Sequence, residues 1–389
     1  MHRSIKFALS FCVLHSSFCI SLSVRAADII DVSNFEDSAQ HFREVIQPER
    51  AIQMLSDQKH YSSEQIREIA GNILVYQHAN GGWPKDYDML AILTPEQRAA
   101  VLARRDSKSS TFDNNSTHTQ VTYLAKAYCL TGDTALRNAC LRGICYILSA
   151  QYPIGGWPQS WPDPKGYAPR LTLNDGVMVG NLRVLRHIVD RTGGFLWVDD
   201  ALREQARKAY EKGEGCLLDA QIRTSDGRLT GWAQQYHEHT LKPAQARKFE
   251  YPGTSGEDTP EVMQYLMEIE NPSPRIIVAV RAAAAWLDAA KITGIRIEEF
   301  KIPYYETVRH KGDFDRRVVN DPAAPAIWAR IYDINTGNPV FANRDGSRKD
   351  SLAELELDRR VGYHWYGYWP ANVMEKEYPA WLKKHGLTP

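Results

Sequence analysis

The chain has 389 residues, in which 47 Lys+Arg balance 47 Asp+Glu to give a formal net charge of zero. That balance argues against nucleic acid as a partner, since nucleic-acid binders carry a basic footprint. No long apolar run follows the N-terminal segment, so no membrane span is expected in the mature protein.

Residues 1–26 read as a signal peptide. His2, Arg3 and Lys6 make a basic start, an apolar stretch follows, and Val24-Arg25-Ala26 offers small residues for cleavage. The expected location is therefore secreted or periplasmic. Cys129, Cys140, Cys145 and Cys216 remain after cleavage. No Cys-x-x-Cys occurs, which argues against zinc. The default reading is four buried small hydrophobes, with one disulfide allowed.

Residues 27–60 form a polar lead-in with a short helix expected near Gln40 to Val45. A helix is predicted from Ser62, with Gln65 as its capping-box partner and Ile66, Ile69, Ile73 and Leu74 on its apolar face. It stops at Asn80-Gly81-Gly82-Trp83-Pro84. Thr94-Pro95-Glu96-Gln97 opens another helix with a capping box and a proline in the first turn.

Next comes Ser110 to Tyr128, a polar loop that turns amphipathic around Thr117, with Val121, Leu124 and Ala125 on the apolar side. Asp113 and Asn114 fall just ahead of that helix. The bland reading is that Asp113 or Ser116 caps it. The functional reading is that Asp113 holds a ligand. Asp133 then opens a helix through Ile144 and Leu148, which ends in a second Gly155-Gly156-Trp157-Pro158. Thr172-Leu173-Asn174-Asp175 precedes a helix bearing Val177, Val179, Leu182 and Leu185.

This is an internal repeat: a helix, a Gly-Gly-Trp-Pro stop, a loop, then an aspartate before the next helix. A looser third copy has a helix ending by Ile222, Gly231-Trp232-Ala233-Gln234, and an acidic loop Ser255-Gly256-Glu257-Asp258-Thr259-Pro260. A period of roughly 75 residues allows a pair of helices per unit. Helix pairs repeated about an axis make an all-α-dominated α/α toroid, partly or fully closed, with its loops gathered at one end. Asp113 and Asp175 would then converge. Length alone would suggest two domains; the repeat argues for one catalytic unit over 61–389.

Pro274 to Ala290 is expected to be a buried helix, apolar on nearly every side. From about 295 short strands are predicted at Ile295–Phe300, Arg317–Val319, Ala326–Asp333 and Pro339–Phe341, followed by the aromatic run Tyr363, Trp365, Tyr366, Tyr368 and Trp369. They read as a small cap of loops and strands over one mouth of the ring. The cluster suits a core or a floor for sugar rings.

Two carboxylates plus Arg247, Arg344, Arg359 and Arg360 suggest an acidic substrate bridged by a hard cation. Singly, each arginine reads as a surface ion pair. A histidine base is poorly supported, because His118 and His237 stand in no triad-like setting.

Seven motifs in register resemble the pectate lyases of the tenth polysaccharide lyase family: Gly-Gly-Trp-Pro-Lys (81–85), Thr-Phe-Asp-Asn-Asn-Ser-Thr-His-Thr-Gln (111–120), Leu-Thr-Leu-Asn-Asp-Gly-Val-Met (171–178), Gly-Trp-Ala-Gln-Gln-Tyr (231–236), Lys-Pro-Ala-Gln-Ala-Arg-Lys-Phe-Glu (242–250), Asn-Arg-Asp-Gly (343–346) and Arg-Val-Gly-Tyr-His-Trp-Tyr-Gly (360–367). The resemblance runs from about Tyr61 to Trp381. It implies an α/α toroid that cleaves polygalacturonate by β-elimination with calcium, working as a monomer. Asp113 and Asp175 would hold Ca2+ with substrate carboxylates, Asn114 would place the sugar, and Arg247 would be the base. Arg344 and Arg360 would grip uronates, with Arg359 competing for the last role. An arginine base predicts an alkaline optimum, crowding by cations being the route to lower its pKa.

Three rivals stand beside this. Gln77-x-x-x-Gly81-x-Trp83 and Gln151-x-x-x-Gly155-x-Trp157 resemble the repeat of triterpene-cyclase toroids, but the Asp-rich protonating motif is missing. The second rival is an α/α-toroid glycoside hydrolase with Asp113 and Asp175 as acid and base. The third is a non-catalytic carbohydrate-binding protein that uses the late aromatic cluster.

Overall fold

A computed structural model describes residues 29–45, 47–307 and 310–388. The expected signal peptide lies outside the described residues.

The helices, in order, are α1 (Glu36–Glu44), α2 (Ile66–Tyr76), α3 (Pro95–Leu102), α4 (His118–Thr131), α5 (Thr134–Ala150), α6 (Val177–Val189), α7 (Asp200–Asp219), α8 (Asp258–Met267), α9 (Pro274–Ala290), α10 (Leu357–Val361) and α11 (Tyr378–Lys384). The fold is an α/α toroid. Helices α4, α6 and α8 neighbour one another in an inner series that continues into the π-wound turn Val373–Glu377 ahead of α11. Helices α2, α5, α7 and α9 form the outer series. The sequence shows why: α6 buries residues around most of its circumference, whereas α5 and α7 bury one stripe. Helix α9 is of the second kind. It buries Ile276, Ala279, Val280, Ala283, Ala284 and Leu287 but leaves Val278 exposed, so its alanines cover an outer face as well as an inner one. This corrects the expectation of all-round burial.

Each outer helix is closed off by the same device. The indole Nε1 of Trp83 donates to Ile73 O, Trp157 to Ile147 O, Trp232 to Leu217 O and Trp328 to Leu287 O, each at 2.8 Å. A buried indole N–H needs such a partner. Three glutamines link consecutive outer helices. Gln77 Nε2 donates to Gly81 O and to Ala139 O of α5, Gln151 to Gly155 O and Ala209 O of α7, and Gln221 to Thr230 O and Ala279 O of α9. The first glycine of each Gly-Gly-Trp-Pro has φ of +96° at Gly81 and +113° at Gly155, and an added Cβ would lie 2.4 Å from a carbonyl of the next outer helix. Only glycine fits there.

Trp328 therefore belongs to a fourth unit, inside the segment expected to be the cap. The long hairpin of β1 (Ile295–Glu306) and β2 (Lys311–Asn320) is inserted between α9 and this tryptophan. Farther on, the chain forms short two-stranded ribbons, and a second core gathers Phe249, Phe341, Leu352, Tyr363 and Trp365.

Several local expectations hold. The Thr94 capping box is complete, and Asp133 caps α5. Others shift: α2 begins at Ile66, with Gln65 Oε1 accepting from Ser62 N. The lead-in is more than a polar linker, because Phe35 just before α1 and Phe42 within it have side chains in the main core. The cysteines depart from expectation. All four described ones are free, and Cys129 and Cys145 are exposed. No described helix is long and apolar enough to cross a membrane.

Candidate active site

The loop before α4 does not use its acids as caps. The N-cap is Thr117, at φ 66° and ψ −62°, with no side-chain cap bond. A β-branched residue in that region is strained, and two bonds hold it there: its hydroxyl donates to Thr111 O at 2.7 Å and accepts from Trp83 N at 3.1 Å. Asn114, Asn115 and Asp175 also have positive φ, between 50° and 57°. Asn and Asp tolerate this conformation best. Backbone normally spent on starting a helix is thus bent to aim Asp113 and Asp175 at each other. Asn115 N donates to Asp175 O at 3.1 Å, tying the two loops directly.

The carboxyl groups of Asp113 and Asp175 lie within hydrogen-bonding reach. Burial and then the charge of Asp113 push Asp175 well above the usual carboxylate range. Asp113 goes the other way. Burial opposes its charge, but the Lys85 ammonium and the Gln159 amide hold its pKa low. Lys85 is ion-paired with one oxygen, and Gln159 Nε2 donates to the other at 2.8 Å. Asn114 donates Nδ2 to Asp86 Oδ1 at 2.7 Å, and Gln47 donates to the second oxygen of Asp86 at 2.8 Å.

Arg247 is half-buried, with its side chain 45% exposed. It stacks over Phe249 and Tyr363 with its guanidinium carbon 4.9 and 5.4 Å from the ring centres. Its guanidinium forks onto Glu250, which also accepts from Arg247 N at 3.0 Å and from Tyr363 Oη at 2.9 Å. Burial disfavours the charge, but Glu250 more than reverses that and raises the pKa above the arginine norm. This is opposite to the lowering expected from a crowd of cations. Within this cluster Arg359 is lowered, by burial and then by Arg344. Its side chain is only 3% exposed and stacks over Phe249 from 4.5 Å. Arg344 is 38% exposed and pairs with Asp358. Arg360 is placed differently from its expected role: it forks onto Asp315 of β2 with two bonds of 2.7 Å.

Tyr167 links the acidic and cationic groups: the charges of Arg247 and Glu250 and those of Asp113 and Lys85 all reach its hydroxyl. Arg330 lies near Asp175, ion-paired with Glu257 and 4.3 Å above the Tyr363 ring.

Sequence reading passed over Lys85, Gln159, Arg330 and Glu250. A signal for three of them was present. Lys85, Gln159 and Arg330 each stand two residues after a ring tryptophan, where the repeat aims a side chain at an acidic loop.

The model of the pectic acid lyase family matches residues 77–374. The chain belongs to that family. It is an enzyme, a pectate lyase. Among solved structures, a family 10 polysaccharide lyase from Cellvibrio cellulosa is similar at 26% identity and a TM-score of 0.66, covering 83% of this chain and 96% of that one. A mutant of the Cellvibrio family 10 lyase, solved in complex with trigalacturonic acid, is also similar at 26% identity and a TM-score of 0.67, with coverage of 82% and 96%. No curated protein matches the sequence.

Proposed function

We propose that this pectate lyase cleaves α-1,4-linked polygalacturonate by β-elimination, with calcium at Asp113 and Asp175 and Arg247 as the base. The observation that carries the reading is the close approach of those two carboxyl groups, with Arg247 and Asp113 both near enough to act on Tyr167, and Arg344 and Arg247 both acting on Arg359. The binding of trigalacturonic acid by the Cellvibrio relative supports the substrate class.

The donors suit a hard cation. Two like charges forced together favour a dication between them, and the buried Asn174 Oδ1 beside Asp175 has no hydrogen-bond partner among the described residues. Among those residues no group of three acidic, His or Cys side chains could hold a metal, so substrate carboxylates and water would complete the shell. Bound there, calcium would stabilise negative charge on the uronate next to the reacting carbon.

The chain's own groups supply the rest. Lys85 and Gln159 fix Asp113. Arg344, exposed and fork-shaped, takes a uronate carboxylate. Arg247 removes the C5 proton as the C4 oxygen leaves, and it must let go of Glu250 to do so, since that fork keeps it protonated. Its exposure favours Arg247 over the enclosed Arg359 for direct contact with the sugar. The hydrolase alternative is disfavoured, because acid and base carboxyls of glycosidases stand about 5–9.5 Å apart, not in contact.

The test is turnover of polygalacturonate, with and without a chelator, followed by the ultraviolet absorbance of unsaturated product. Arg247→Ala should cut turnover about 10³-fold with little change in melting temperature. Chain shortening without absorbance would sink the elimination mechanism. We also propose that the enzyme acts outside the cytoplasm, where a polymeric substrate is met. A mature N-terminus still carrying Met1 would count against it.

A further inference from the structure

The guanidiniums of Arg247 and Arg359 both stack on Phe249, and Arg344 is close enough to depress the pKa of Arg359. Three like charges do not gather without anions to hold them. Glu250 serves Arg247. The other two share one carboxylate, Asp358 of α10. Its Oδ2 accepts from Arg344 Nε at 2.7 Å and from Arg359 Nε at 3.2 Å. Its Oδ1 accepts from Thr307 Oγ1 at 2.9 Å.

Thr307 directly follows the first strand of the long hairpin, so the third arm of this node comes from an insertion into the ring. Thr307 Oγ1 also accepts from His310 N at 2.9 Å, and its single proton is shared between Asp358 Oδ1 and His310 O, each 2.9 Å away. His310 Nε2 sits 3.4 Å from Arg359 Nη2. It also lies over Gly362, where an added Cβ would come within 2.0 Å of the His310 ring and push it aside. Burial works against the charge of Asp358, yet Arg344, Thr307 and Arg359 together hold its pKa below the usual range.

We propose that Asp358 is a positioning residue for substrate, and that the hairpin, through Thr307, sets its orientation. Gripped by Asp358 through Nε and Nη2, the Arg344 guanidinium is fixed in plane and leaves Nη1 to meet a uronate. Arg359, enclosed behind it, stops Asp358 from neutralising Arg344 outright. Three guanidiniums facing two carboxylates leave the cluster cationic, which selects a free uronate over its methyl ester. This rests on the reading of the cleft as a polygalacturonate site.

The experiment uses the full chain and its Asp358→Asn and Thr307→Val variants. It measures kcat and KM on polygalacturonate and on a highly methyl-esterified pectin, the affinity for trigalacturonate by calorimetry, and the melting temperature. Asp358→Asn should raise KM and weaken trigalacturonate about tenfold while kcat falls less than about threefold, because binding shared by ground and transition states is lost. The preference for unesterified substrate should persist, because the variant's cluster is still more cationic. Thr307→Val should weaken trigalacturonate by about twofold to fivefold. Unchanged KM and affinity in Asp358→Asn would overturn the proposal, whatever the melting temperature does. So would a fall in kcat with KM intact. If the wild type neither binds trigalacturonate nor yields unsaturated product, the underlying site reading fails instead, and the two failures are told apart by the wild-type control.

Discussion

Two acidic stations of the same ring meet different fates. In the first, Asp113 and Asp175, brought from successive loops, face each other with Lys85 as their cation, a side chain 41% exposed on a flexible stem. In the other, Glu257 and Asp258 are served by Arg330, which is 12% exposed, ion-paired and seated above the Tyr363 ring. Both cations stand two residues after a ring tryptophan, so the geometry is shared and the chemistry is not. An ammonium on a mobile stem can be exchanged for another cation. A guanidinium packed on an aromatic ring is built in. The same fold device thus yields an exposed, exchangeable pair at one station and a closed structural pair at another.

Breaking the closed pair should have the largest effect. Arg330→Met leaves buried Glu257 and Asp258 without their cation, and urea unfolding should show a loss of about 3–5 kcal/mol. Part of it should return at acid pH. Glu257 is raised to about 7, first by burial, so its neutral form is the one the fold prefers and any stability it contributes is lost as pH rises through that value.

The open site should respond in the opposite sense. Asp175→Asn is expected to abolish most turnover yet stabilise the metal-free protein by about 1–2 kcal/mol. Asp175 has a raised pKa, so the wild type loses stability as pH climbs from the unfolded value of about 4 through the folded one. The gap in melting temperature between variant and wild type should therefore open over that climb. Added calcium should raise the wild type's melting temperature and leave the variant's unmoved. A variant less stable than wild type at neutral pH would show that the two carboxyls do not repel.

Glu250→Gln sharpens the comparison on the catalytic side. It keeps a hydrogen-bonding partner for Arg247 but removes the charge that holds the guanidinium protonated. The alkaline rise of kcat/KM should move down by about one pH unit. An unmoved profile would mean that Arg247 is not the titrating base. The smallest effect serves as a control remote from both loops. Thr94→Ala removes the capping box of α3 and should cost about 1 kcal/mol by thermal unfolding, with activity unchanged.

The ring was readable because repetition leaves a mark. Gly-Gly-Trp-Pro ending at Pro84 and again at Pro158, with aspartates ahead of α4 and α6, are local patterns, and they led directly to Asp113 and Asp175. The fourth unit escaped notice because the hairpin separates Trp328 from α9 and strips away the expected spacing. The cationic half was harder still. Whether Arg247, Arg344, Arg359 or Arg360 faces the cleft depends on carboxylates brought from far along the chain, Asp315 to Arg360 and Thr307 through Asp358 to Arg344. Adjacent arginines at 359 and 360 look alike in sequence, yet short-helix geometry sends one inward and the other to the hairpin. Nor does sequence reveal that Glu250, three residues from Arg247, folds back to claim it.

The two ends of the hairpin are stitched to each other, not to distant parts of the ring. Ile292 and Ile327 exchange backbone bonds of 2.8 and 2.9 Å, and Asp321 N reaches Gly294 O at 2.8 Å. The protrusion is therefore a module that a short turn could replace, leaving Trp328 to seal α9 as before. Such an excised enzyme would keep its scaffold and its ion site while shedding one arm of its grip on substrate, so length variation at this one junction is a route by which chains built on the same ring could diverge in how tightly they hold a polymer.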